Sequence, residues 1–350
     1  MKVPEVSLNA WRDLYDAALK YRDLKPWASL YDDQLFGVKD PAMGQIGYCC
    51  VLGTLGEILA LCVYRGSYGF DFYQRIQSAE LTPMDDDIFT MQNALMAAFT
   101  DHGELEKEDL SIMKALKLKI RGRKQYPCFR SYLPGYSPWF LNEEEVSFLT
   151  LALTCACGFV EAYRREPCVL KSDKQDHYLV YIPQREGESL SWTTQWLQPE
   201  PLAEPIIPQV AFNELQVQKI KKMNLKSDTV WEADYFFFAG GIIKDRGRPY
   251  FARALMLAHH ESGLILFLHL FPHEVEPHGK LLEAILSVIE EQGIVPSEVR
   301  FKKRIAYEVA KSLGEGLGFK ITLSKSLSAI DEAKSELTRQ ARKDVPDFLK

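Results

Sequence analysis

Across residues 228–342 the apolar positions recur first with a period of two and later with a helical period. Val230–Ile243, Pro249–His259 and Gly263–Phe271 read as three strands, with turns at Asp245-Arg246-Gly247-Arg248 and Glu261-Ser262-Gly263. Gly240-Gly241 inside the first strand predicts a bulge or a close backbone approach. Leu281, Leu282, Ile285, Val288 and Ile289 then line one face of a helix over 275–292. Val299-Arg300-Phe301 begins a fourth strand. Ile305, Val309 and Leu313 line the next helix, which Gly316 or Gly318 ends, and Phe319–Leu323 is a fifth strand. Ile330, Ala333, Leu337 and Ala341 line a last helix. The order βββαβαβα implies a mixed sheet with helices packed on it.

The first two hundred residues are less regular. A helix is expected from Ser7 to about Leu24, with Trp11, Leu14, Tyr15, Ala18 and Arg22 along one face and Pro26 ending it. Ile46–Leu52 and Ile58–Tyr64 read as a hairpin around Gly53-Thr54-Leu55-Gly56-Glu57, and a short helix follows near Phe70–Gln77. Residues 85–100 read as a helix opened by Asp85-Asp86-Asp87, and Lys114–Trp139 as broken strand. The run Val146–Val160, preceded by Glu143, Glu144 and Glu145, is shorter than the roughly 20 residues of a membrane span and is expected to be a buried helix. Tyr178–Pro183 and Trp192–Leu197 make one more strand pair. The expected organisation is an α+β domain with antiparallel strands over 1–197, then a linker and short helix over 198–225 carrying Pro199, Pro201, Pro205 and Pro208. An α/β domain follows over 226–350.

Length and composition agree with two folded domains: 350 residues, 47% hydrophobic and 26% charged. A net charge of −6 gives no global attraction to nucleic acid. The first residues carry no apolar signal core, and no membrane partner is expected. The seven cysteines form no CxxC pair, which points to reduced core thiols and a cytoplasmic setting.

Several stretches resemble an uncharacterised bacterial two-domain family, some of whose members are associated with SEC-C zinc motifs. They are Leu35-Phe36-Gly37-Val38, Gly47-Tyr48-Cys49-Cys50-Val51-Leu52-Gly53 and Val63-Tyr64-Arg65-Gly66 in the first domain. In the second they are Trp231-Glu232-Ala233-Asp234, Arg248-Pro249-Tyr250-Phe251 and Ala329-Ile330-Asp331-Glu332-Ala333. That resemblance implies no activity and no functional residues. Separately, the βββαβαβα order and the Trp-x-x-Asp of the first strand resemble a ribonuclease H-like domain, and fold alone transfers no function.

A ribonuclease H-like nuclease needs clustered carboxylates around paired divalent ions about 3.5–4 Å apart. Asp234 stands where one such acid belongs, but the end of strand four reads Phe301-Lys302-Lys303-Arg304, cations where a second acid is wanted. Glu283 falls opposite the apolar helix face, and Asp331, three residues after Ser328, sits where a capping acid would. The domain is therefore expected to be catalytically degenerate, and no cofactor is expected. The protein reads as a non-catalytic binding or accessory module with an unspecified protein or nucleic-acid partner. The alternative is a metal-dependent nuclease or nucleic-acid-processing enzyme using Asp234 and Asp331 with a divalent metal.

Three further groups suggest chemistry. His259, His260, His269, His273 and His278 fall close together in sequence, as zinc ligands can, yet neighbours on a strand face opposite ways. Cys155-Ala156-Cys157-Gly158 with Cys168 loosely echoes a zinc knuckle, although the spacing is wide and the first two lie in an apolar run. Lys119, Arg121, Arg123, Lys124 and Arg130, interleaved with Tyr126, Phe129 and Tyr132, offer the cations and rings that single-stranded nucleic acid uses. A half-exposed strand has the same pattern.

Overall fold

Side-chain alternation on β2 (Ile46–Leu52) and β3 (Leu59–Arg65) sorts two cores onto the two faces of one sheet. Cys49, Val51, Leu61 and Val63 enter one core; Tyr48, Cys50, Cys62 and Tyr64 enter the other. A computed structural model of the chain describes residues 4–82, 87–167, 174, 176–186, 189–245 and 247–343. It divides into two units, Met1–Leu202 with Asp245–Pro249, and Ala203–Lys244 with Tyr250–Lys350.

In the first unit β1 (Phe36–Lys39), β4 (Ala94–Thr100), β5 (Tyr126–Tyr132), β6 (Tyr178–Glu186) and β7 (Ser189–Leu197) join β2 and β3 in a seven-stranded sheet of order β5-β4-β3-β2-β1-β6-β7. The helix α1 (Leu8–Leu24) packs on α5 (Glu143–Arg165) over one face, and α2 (Gly66–Gln77) covers the other. Ser7 caps α1 and also hydrogen-bonds Glu143, the first residue of α5, at 2.8 Å through both its amide and its hydroxyl. Asn142 and Glu145 form a capping box at the start of α5. Among the described residues α5 is the one helix long and apolar enough to cross a membrane, and 61% of its apolar window is buried inside the protein. Gly47 makes room for that helix: a Cβ there would stand 2.7 Å from Phe148.

Four expectations for this unit are corrected. The sheet is mixed rather than wholly antiparallel, because β1 pairs parallel with β6 (Gly37↔Val180). A Cβ on Gly37 would come within 2.8 Å of Val180, so this close parallel pairing needs glycine. Residues 85–100 are not one helix. A short α3 (Asp87–Thr90) precedes β4, whose alanines have high helix propensity but lie between β3 and β5 and hydrogen-bond to both. Asp85 and Asp86 lie outside the described residues. The basic stretch is no strand before Tyr126: α4 (Lys107–Ala115) ends just ahead of it, and Lys117, Gly122 and Lys124 have φ of 58°, 105° and 52°. Finally, the fully buried position near the end of α1 is Tyr21, while Arg22 reaches out to the carbonyl of Gln125 at 3.1 Å.

The second unit begins with α6 (Glu214–Met223), capped by Asn213. Residues 198–213 ahead of it carry no helix or strand. Next come β8 (Val230–Ile243), β9 (Tyr250–His259), β10 (Ile265–Phe271), α7 (Pro277–Gln292), β11 (Glu298–Phe301), α8 (Arg304–Leu317), β12 (Lys320–Leu323) and α9 (Ser328–Lys343). The sheet order is β10-β9-β8-β11-β12. Strands β8, β9 and β10 are antiparallel, and β11 runs parallel to both β8 and β12. Trp231, Ala233, Leu255 and Leu257 face α7 and α8; Phe236, Ala254, Met256 and Ala258 face α9. A register shift between Phe237 and Ile242 marks the bulge at the glycine pair, and a Cβ on Gly240 would meet Ala341 of α9 at 2.5 Å. The glycine is thus what lets α9 lie against β8.

Candidate functional site

Glu232 and Asp234 stand two apart on β8 and so share a face, the one α9 covers. Glu232 is wholly buried, and Asp234 is 6% exposed. The Glu232 carboxylate is surrounded by donors. One oxygen is 2.5 Å from His260 Nδ1 and 3.4 Å from Ser328 Oγ; the other accepts the Ile330 amide of the first turn of α9 at 3.0 Å. Register places Arg300 of β11 beside Glu232, and Arg300 Nη1 lies 2.8 Å from His260 Nε2. A guanidinium only donates, so Nε2 accepts and the imidazole proton sits on Nδ1, facing Glu232. The sequence reading passed over Glu232. Its signal was the i, i+2 pairing with Asp234 in a strand that was otherwise apolar there.

The two residues after β11 bring lysines to the two acids singled out from sequence, Asp234 on β8 and Asp331 on α9. Lys303 Nζ lies 2.6 Å from Asp234 Oδ1 and 2.6 Å from the carbonyl of Tyr235, above whose ring it sits at 5.0 Å. Lys302 Nζ is 3.6 Å from Asp331 Oδ1, while Asp331 Oδ2 accepts the Leu327 amide at 3.1 Å, the capping role. Both acids are therefore held at the end of β11, each by a neighbouring lysine. Glu283 is exposed on the solvent side of α7.

The histidines part company. His260 belongs to the Glu232 cluster. His259 Nδ1 accepts the Ser262 amide at 3.3 Å, His269 stacks on Phe271, and His273 lies against Tyr250. His278 meets the Tyr235 hydroxyl at 2.8 Å and Glu276, and burial lowers its pKa. Among the described residues no three His, Cys, Asp or Glu side chains gather as metal ligands do.

The cysteines are core residues. Cys49 and Cys50 enter opposite cores, and Cys155 and Cys157 pack in the α1–α5 core; Cys168 lies outside the described residues. Burial pushes Cys62 up to about 12 and Cys128 and Cys157 up to about 11, so all three stay protonated at neutral pH. A Cys168→Ser variant is expected to react negligibly with a thiol reagent at about pH 8 and to release its six remaining thiols only on unfolding. Rapid native labelling would show that one of these thiols is open to solvent.

The basic residues divide into paired and exposed ones. Arg130 is engaged by Asp109 and Glu106, and Lys124 Nζ by the carbonyls of Gly56 (2.5 Å) and Glu57 (2.9 Å). Arg123 approaches Asp101 at 3.7 Å, and Lys119, Arg121 and Arg123 are exposed.

Residues 11–181 match the family model of a domain of unknown function, DUF7309, and residues 216–338 match that of a second, DUF6930. The chain carries two domains of unknown function. Together they fit an uncharacterised two-domain family. No curated protein matches the chain. Among solved structures it is similar to part of the cryo-EM structure of the simian T-cell lymphotropic virus intasome in complex with PP2A regulatory subunit B56 gamma. That match is 15% identical, covers 35% of this chain and 44% of the other, and has a TM-score of 0.25, too low to carry an argument. Neither domain model brings an activity with it, and the function of the chain is unknown.

Proposed function

We propose that the second unit is a ribonuclease H-like scaffold serving as a binding or accessory module, with lysines where a nuclease would hold its metal ions. One observation carries this reading: Lys303 Nζ stands 2.6 Å from Asp234 Oδ1. Two-metal cleavage needs carboxylates free to converge on paired cations. Here an ammonium already neutralises Asp234, a second lysine faces Asp331, and the third acid, Glu232, is committed to His260 and the start of α9. This donor set does not fit a pair of divalent ions. The element order and the strand order β10-β9-β8-β11-β12 support the scaffold assignment. The free, mostly buried thiols support a cytoplasmic setting. The stretches quoted above support kinship with the bacterial family associated with SEC-C motifs.

The test is cleavage of single- and double-stranded DNA and RNA by the purified chain in magnesium or manganese. The expected result is no cleavage above the buffer control, for both the wild type and Asp234→Asn. Metal-dependent cleavage that disappears in Asp234→Asn would overturn the proposal and restore Asp234 and Asp331 as ligands. Binding assays on the same substrates identify the partner. Salt-sensitive retention lost in a Lys119, Arg121, Arg123 triple-alanine variant assigns nucleic acid, and retention of nothing directs the search to a protein partner.

A further inference from the structure

The sheet of the second unit has an open edge. Strand β10 ends it and pairs with β9 on one side only. Among the described residues no backbone group of Ile265–Phe271 bonds to anything outside the β9 ladder. An edge strand turns about half of its amides and carbonyls outward, where they template pairing with another strand. Proteins protect such edges with charge, and β10 carries none: no Asp, Glu, Lys or Arg stands between Glu261 and Glu274. The other edges are guarded. At the far side of the same sheet, β12 has four residues and opens on Lys320. In the first sheet β5 carries Arg130 and has Trp139 bridged to its Ser131, and β7 exposes Ser191, Thr193 and Gln195.

The side chains of β10 add a second observation. Register sets Ile265, Leu268 and Leu270 opposite Ala258, Met256 and Ala254, which lie under α9. Residues opposite one another share a sheet face, so these three lie on the α9 face. They remain 39%, 41% and 49% exposed, while Leu266, Phe267 and Phe271 pack into the core with α7 and α8. One face of β10 is thus folded into the core, and the other is apolar and uncovered. A bulge separates Ile265 from Phe267. From Phe267 to Phe271 the register is regular, and His269 is the midpoint of that stretch.

We propose that β10 pairs antiparallel with β10 of a second copy of this chain, about a two-fold axis through His269, joining two five-stranded sheets into one. The symmetry brings Leu268 of each copy opposite Leu270 of the other, and it matches the outward amides of each strand with the outward carbonyls of its mate. The chemistry of the edge selects this occupant. It calls for an extended, uncharged segment with apolar side chains on one face, and β10 is itself such a segment. A charged peptide would find no opposite charge along the stretch between Glu261 and Glu274. Pairing of β10 with a different edge, such as β7, would be head-to-tail and would grow into a polymer, whereas the two-fold closes at the dimer.

The test is sedimentation equilibrium of the purified chain. A seven-residue edge is a small interface, so a monomer–dimer equilibrium with a Kd of about 10–100 µM is expected. Leu268→Lys and Leu270→Glu, each alone, are expected to weaken it by about tenfold without lowering the melting temperature, because both leucines are exposed. Mixed in equal amounts, the two variants are expected to associate with each other, since the axis sets the introduced cation against the introduced carboxylate. A purely structural role for these leucines would lower the melting temperature and give no rescue on mixing. A chain that stays monomeric at about 300 µM overturns the proposal, as does a dimer that neither substitution weakens. Species larger than the dimer, or no association in the mixture, overturn the two-fold about His269.

Discussion

Glu232→Ala is expected to destabilise the second unit by about 3 kcal/mol, the cost of leaving buried donors without their acceptor. The carboxylate is wholly buried and serves three donors on two elements besides its own. Its loss leaves His260 and Arg300 facing an apolar methyl and strips the Ile330 amide of its acceptor in a buried helix start. The helix α9, whose Ile330 closes the core over Phe236 and Met256, should loosen first. Hydrogen exchange at α9 and the denaturant midpoint read both effects. Glu232→Gln keeps an acceptor and the shape of the side chain, so it should cost less. An alanine variant with wild-type exchange at α9 would show that this cluster does not hold the helix.

The second unit was more legible from sequence than the first, for a physical reason. Its strands β8 and β9 and its helix α7 are long, and its glycine pair sits where α9 touches β8, so elements and bulge could be read directly. In the first unit β1 has four residues, too few to show a period, and β4 is written in alanines that propensity assigns to helix. Both are strands because their neighbours pair with them, and that information is not local. At the candidate site the acids and lysines could be read individually. Sequence did not show that Lys303 would meet Asp234 and Lys302 Asp331, because that depends on the parallel register of β8 and β11. Glu232 was missed because one buried glutamate in a strand looks like any other polar alternation until the helix that it caps is folded back onto it.

Arg130→Met is expected to destabilise the first unit by about 3 kcal/mol, although sequence offered Arg130 as a nucleic-acid contact. Its guanidinium grips Asp109 in a two-pronged pair, Nη1 to Oδ1 at 2.9 Å and Nη2 to Oδ2 at 2.7 Å, and lies over the Phe140 ring at 4.7 Å. The side chains of Arg130 and Asp109 are 12% and 5% exposed, so the pair joins α4 to β5 from inside. Asp109 also accepts the Glu106 amide at 3.0 Å as part of the α4 capping box. Methionine keeps the stem of the arginine but leaves this carboxylate buried without its cation. The double variant Arg130→Met with Asp109→Leu removes both charges and should recover at least half of the lost stability, because a buried pair costs most when only one partner is gone. No recovery would place the defect in the Glu106 cap rather than in the unpaired charge. Substitutions at exposed Arg121 or Arg123 should change stability by less than about 0.5 kcal/mol. Loss of nucleic-acid retention in those variants would report on an interface, whereas the same loss in Arg130→Met would report on folding.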